Sequence, residues 1–215
     1  MPFASEGLKP LTSTRLRCNF DMRKICNHIN VFIFTLYISI CISCTCGSKL
    51  QYKDVKNDLD KSHAYLKERI KSSYSIPGSS GTKDEAVTRY LQELSKGKTW
   101  RNNPYIYSED EFVNIFLPNS LGNNTMIDHN PLGPHMDMVL FRRSVGEDKI
   151  RSVIGGKDFQ VLQISWSKNI RKRNALTGYK PYSVVVLVDG QKREIDEIKQ
   201  VSEHQGKFKV SVIAP

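Results

Sequence analysis

At 215 residues, with 39% hydrophobic and 25% charged side chains and a mean hydropathy of −0.42, the chain is neither a multi-span membrane protein nor a wholly disordered one. A formal charge of +10 directs attention to anionic partners such as nucleic acid, acidic lipid or acidic polysaccharide, without choosing among them. All five cysteines, at 18, 26, 41, 44 and 46, precede Gly47, so the rest of the chain folds without a disulfide framework.

The first element is an apolar run. Val31 to Ser43 spans 13 residues, ten of them apolar when Tyr37 and Cys41 are counted. A bilayer-crossing helix needs about 20 residues, whereas a signal-peptide core needs about 7–15. Arg23 and Lys24 lie just upstream, after Met22, which completes the basic-then-apolar pattern of a secretory leader. Counted from Met1 such a leader is too long, and counted from Met22 it fits. Residues 1–21 are therefore expected to be a non-native upstream extension, and 22–43 the signal peptide.

The run ends in "ICISC", Ile40 to Cys44. This resembles the lipobox of bacterial lipoproteins, in the loose form found in spirochaetes, because Cys41 stands where a Leu is usual while Ser43 sits correctly before Cys44. The resemblance covers residues 22–44 and implies cleavage before Cys44, three acyl chains (palmitate among them) on that cysteine, and attachment at the cell envelope, in the outer membrane or at the cell surface. Two or more chains anchor a protein stably where one does not. An ordinary cleaved signal peptide and an uncleaved short N-terminal anchor are the alternatives. The mature chain stays basic.

Residues 45–82 read as a tether containing one amphipathic helix, with Val55, Leu59, Leu66 and Ile70 along a narrow stripe. "SIPGSSG", Ser75 to Gly81, reads as a flexible linker. The compact domain is then 83–215. Thr82 and Glu85 form a capping box for a helix with Ala86, Val87, Tyr90, Leu91 and Leu94 inward and Gly97 at its end. Ser108 and Glu111 repeat the signature ahead of Phe112, Ile115 and Phe116, with the helix stopping before Pro118. A third helix is expected over 136–144, with a possible extension to Ile154 across a break near Gly146.

From Phe159 the period changes to two. "FQVLQISW" places Leu162, Ile164 and Trp166 on one face, "YSVVVLV" is a β-branched run, and Asp189–Gly190 signals a hairpin. "QKREIDEIKQV" reads as a return strand with a possible bulge, "EHQG" as a turn, and "KFKVSVIA" as the last strand. The expected fold is α+β, with N-terminal helices packed on a four-stranded antiparallel meander. That layout resembles the NTF2-like and cystatin-like folds, which fixes no function.

Four groups carry possible chemistry. Asp128, His129, His135 and Asp137 are of metal-ligand type but match no regular spacing, and turn-forming residues are the plainer explanation. Lys168, Arg171, Lys172 and Arg173 make a basic loop suited to phosphates, without the interleaved aromatics of a single-strand nucleic-acid binder. A solvated loop or one near an anionic membrane surface is the preferred reading. Gly155–Asp158 lacks the residues of a phosphate loop, and no other cofactor motif is found. Trp166, Val184, Val186 and Phe208 could line a pocket on a curved sheet, or could simply be core.

The sequence thus points to a lipid-anchored exported binding or envelope-interaction module. Its expected partners are membrane lipid through acylated Cys44 and an anionic envelope component, with no specific nucleic acid. The alternative is a secreted or periplasmic protein without lipid, using an NTF2-like pocket for ligand binding or, less readily, catalysis. No inward-facing acid/base pair can be placed.

Overall fold

The computed structural model describes residues 53–215. The proposed leader, the start at Met22 and Cys44 lie outside them. The first described helix, α1, covers 53–67. Of its expected stripe, Leu66 is fully buried, while Val55 and Ile70 stay exposed. The helix is held by the Leu132 amide donating to Ser62 Oγ at 3.0 Å and by a hydrogen bond between His63 Nε2 and the Ile127 carbonyl.

The segment expected to be a linker is ordered by the sheet. The Ser80 amide donates to the Phe208 carbonyl at 2.8 Å and receives the Phe208 amide at 2.9 Å on its own carbonyl. Ile76 is buried, and Lys209 Nζ donates to the Pro77 carbonyl. Gly78 has φ +67°, and a Cβ there would overlap the Pro104 carbonyl. The glycine and proline of "SIPGSSG" therefore shape a tight approach rather than a hinge. Residues Lys53–Pro215 form one compact unit.

Helix α2, Lys83–Ser95, starts as its sequence requires. Thr82 Oγ1 accepts from the Glu85 amide at 3.1 Å, and Glu85 reaches back to the Gly81 amide at 3.0 Å. Ala86, Val87, Tyr90, Leu91 and Leu94 are all buried. Helix α3 covers 109–120 in three parts: Glu109–Glu111, a π-helical turn Phe112–Phe116, and Leu117–Ser120. The Ser108–Glu111 capping box is complete. The helix does not stop before Pro118. The widened turn, closed by the Leu117 amide on the Phe112 carbonyl, admits a residue without an N–H into the next turn. A 3-10 turn, Met126–Asp128, precedes helix α4, Leu132–Ile154.

Helix α4 is continuous through Gly146 over 23 residues. A Cβ at Gly146 would lie 2.8 Å from Ile213 Cγ2 and 3.1 Å from the Ala214 backbone. This glycine permits close helix–strand packing and is not a helix break.

Seven strands form two antiparallel sheets among the described residues. They are β1 Phe159–Trp166, β2 Arg171–Arg173, β3 Leu176–Tyr179, β4 Pro181–Val188, β5 Gln191–Ile195, β6 Ile198–His204 and β7 Lys207–Ile213. One sheet has the order β1-β4-β5 and the other β2-β3-β6-β7. The fold is α+β, but the single four-stranded sheet expected from sequence is divided. Each long chain path crosses from one sheet to the other, at 167–170, at Lys180 and at Asp196–Glu197. Pro181 cannot donate a ladder hydrogen bond, which favours a break there. The hairpins turn on left-handed pairs, Asp189–Gly190 (φ 51° and 74°) and Gln205–Gly206 (φ 51° and 76°).

A register shift between Val161 and Gln163 moves the alternation of β1, so Val161 and Ile164 pack inward while Leu162 faces out at 41% exposure. On one side of the sheets, α2 and the end of α4 meet Val184, Val186, Ile195, Ile198, Val201 and Val210 in the main core. A second apolar cluster joins Leu66, Ile76, Tyr107, the α3 aromatics, Ile127 and Leu176. Full burial of such side chains stabilises by roughly 1.5–3 kcal/mol each.

Candidate functional site

The expected metal group does not assemble. Asp128 is committed to its own turn, accepting from the Gly122 amide at 2.6 Å and the Thr125 amide at 2.7 Å. Burial would raise its pKa, yet these hydrogen bonds outweigh it and hold the carboxyl below its ordinary value. His129 pairs with Asn124 Oδ1, Asp137 is exposed, and His135 is buried with its Nδ1 unpartnered among the described residues. No group of three His, Cys, Asp or Glu side chains is placed to hold a metal among the described residues. The sheet-face pocket is filled. Val184 and Val186 are fully buried in the main core, and Trp166 and Phe208 pack against it.

The basic loop, in contrast, becomes one wall of a cavity of about 750 Å³. Residues 171–173 are strand β2, not a free loop, and turn at Asn174–Ala175. Opposite them in sequence, α4 supplies Arg142 and Arg143, and β6 supplies Lys199. Among the described residues, six cations therefore line the cleft, Arg142, Arg143, Arg171, Lys172, Arg173 and Lys199, and no Asp or Glu does. Its floor is apolar, with Phe112, Phe116, Leu117, Ile127, Val139 and Val212.

Arg143 is the most buried of these cations, at 1% exposure. Nη1 donates to the Tyr107 carbonyl at 3.0 Å and Nη2 to the Ser211 carbonyl at 3.4 Å, while Nε has no partner. The guanidinium lies 5.3 Å from the Phe112 ring centre and 5.4 Å from that of Trp100. Burial pushes its pKa down to about 10, so it remains charged at neutral pH. Arg173 Nη1 donates to Ser120 Oγ at 2.7 Å and its guanidinium lies over Phe116 at 5.1 Å. Burial and the neighbouring Arg171 lower its pKa. Among the described residues, only Lys199 of the six reaches a carboxylate, Asp196 at 4.0 Å. Cations over an apolar floor, with Asp128 acting on Arg173 and Glu147, Glu109 and Glu111 on Arg143 only at longer range, focus a positive field into the cleft.

Sequence reading found Arg171, Lys172 and Arg173 and missed Arg142, Arg143 and Lys199. The adjacent arginine pair in the middle of α4 was the available signal, since a helix position that must be buried rarely carries an unpaired arginine. The far face of β6 and β7 completes the surroundings with a polar network. Gln200 Nε2 donates to Ser202 Oγ at 3.2 Å, and Ser202 Oγ to Ser211 Oγ at 2.9 Å. Buried Lys209 donates to both carboxylate oxygens of Glu111 at 2.8 and 2.9 Å. Burial lowers the Lys209 pKa and Glu111 opposes that shift.

No family model, curated protein or solved structure matches this chain. No helix among the described residues is long and apolar enough to cross a membrane.

Proposed function

We propose that this protein is an exported binding module, held at the cell envelope by lipid on Cys44, whose folded unit takes an anionic ligand in the cleft between α3, α4 and β2. The observation that carries the binding reading is the charge of the lining: six cations and, among the described residues, no carboxylate. Such a surface attracts and orients anions, and its worth rises where water is partly excluded. Among the described residues, the lining offers no carboxylate base. Its one histidine, His135, has a buried Nδ1 without a partner and a pKa lowered by burial. Binding is therefore a better account of the cleft than catalysis.

The anchor rests on the lipobox-like residues Ile40 to Cys44. Acyl labelling of cells expressing the wild type and Cys44→Ala should label only the wild type. Label retained by the variant excludes Cys44, and label on neither excludes the lipid anchor. For the cleft, the full chain should be titrated with sulfate, phosphate, pyrophosphate and decanoate at low salt. At least one should bind with one-to-one stoichiometry, lose affinity as salt rises, and bind about tenfold more weakly to Arg142→Gln/Arg171→Gln. A chain that binds none of them has no anion site.

A further inference from the structure

We propose that the ligand of this cleft is a single-chain anionic amphiphile, with its head on the cations and its chain along the apolar floor. This rests on the anion-binding reading above and adds the chemistry of the ligand's other half. Three observations carry it.

First, the lining is layered by polarity. Cations from α4, β2 and β6 surround a floor of Phe112, Leu117, Val139 and Val212. A bare inorganic anion would engage the cations and leave the half-buried Met138, Val139 and Val212 in water, whereas a hydrocarbon chain covers them. The volume of about 750 Å³ suits one chain and a head, since pockets of about 300–1,000 Å³ hold ligands of that size.

Second, the apolar lining continues out to the surface. Met126 is 48% exposed and Ile170 is 51% exposed, and both line the cleft from separate elements, the 3-10 turn and the β1–β2 connection. Methionine adapts its shape to irregular apolar partners, and Met138 on α4 lines the same cleft.

Third, the aromatic rings are turned away from base recognition. Phe112 and Phe116 stack on each other with centres 4.6 Å apart and are 3% and 6% exposed. Neither presents an open face for a nucleobase, which single-strand binders require. At the inner wall Arg143 keeps a buried guanidinium with no carboxylate within ion-pair distance among the described residues and with Nε unpartnered. An anionic head placed there meets a charge that the protein's own carboxylates, Glu147, Glu109 and Glu111, reach only at longer range.

The test is titration calorimetry of the full chain with phosphate, decyl phosphate, decanoate and decanol, and with alkyl phosphates of different length. Decyl phosphate should bind at least tenfold more tightly than inorganic phosphate. Affinity should rise about fourfold per added methylene, the fold-change of burying one such group. Decanoate should bind as decyl phosphate does in kind, and decanol at least tenfold more weakly than either. Ile170→Ser and Met126→Ser, at exposed positions that leave the fold intact by circular dichroism, should flatten the chain-length dependence. Equal binding of phosphate and decyl phosphate overturns the amphiphile and leaves the anion site standing. Decanol binding as tightly as decyl phosphate overturns both. Capture of phosphatidic acid vesicles without binding of free decyl phosphate also overturns the amphiphile, and makes the cations a membrane-surface contact.

Discussion

The two faces of the β6–β7 pair differ in kind. Toward α2 they present Ile198, Val201, Val210 and Ile213, all within the main apolar core. Toward α3 and the start of α4 they present Gln200, Ser202, His204, Lys209 and Ser211, all buried and polar. The first face gains stability from area alone and tolerates no water. The second must satisfy each group in turn. His204 Nε2 accepts from the Tyr74 amide at 3.0 Å, so Nδ1 carries the hydrogen that is donated to the Ala175 carbonyl at 2.8 Å. The difference shows where the site sits: the apolar face closes against α2, whereas on the other face Gln200, Ser211 and Val212 border the cleft.

This contrast can be broken from either side. The largest effect is expected on the apolar face. Leu91→Ala should destabilise by about 4 kcal/mol in urea unfolding and leave anion affinity unchanged. On the polar face, Glu111→Gln keeps the cap geometry but strands the Lys209 ammonium, which is buried with it. A loss of about 3 kcal/mol is expected, with most of it restored in Glu111→Gln/Lys209→Met. Without that restoration, the cost lies in the cap and not in the buried charge.

Gly146→Ala tests the seam between helix and sheet. Helix propensity favours alanine by about 1 kcal/mol, but overlap with Ile213 and the Ala214 backbone opposes it. A net loss of about 1–2 kcal/mol is expected, and a gain would show that the helix can shift. The smallest effect belongs to the 3-10 turn before α4. Asp128→Asn should cost about 1 kcal/mol at pH 7 through its lost charge on the turn amides. The carboxyl sits below its ordinary value of 3.8 when folded. Its contribution is therefore present above that value and fades as pH falls through the lower folded one, so variant and wild type should converge in strong acid. Parallel stability curves from pH 7 to 2 would show that Asp128 acts by shape alone.

Much of the helical core was legible from local pattern. The five inward residues of α2 and both capping signatures stand where a 3.6-residue period and a Thr or Ser followed by Glu place them. Reading failed where the tertiary context outweighed local preference. "SIPGSSG" has a linker's composition, but its Ser80 pairs with Phe208 across the fold. Pro118 reads as a stop, but a π turn carries the helix past it. Leu162 reads as core, but a bulge turns it out.

The sequence by itself determined the α+β class, the helix starts, the hairpin turns and the excess of positive charge. Each of these depends on neighbours within a few residues, or on composition alone. Only the tertiary structure decided that the long strands divide between two sheets, that Gly146 admits a strand, and that Arg142 and Arg143 meet Arg171, Lys172, Arg173 and Lys199 around one apolar floor. Those residues lie far apart in the chain, and no local periodicity encodes which helix face meets which strand edge. The cleft is a product of packing.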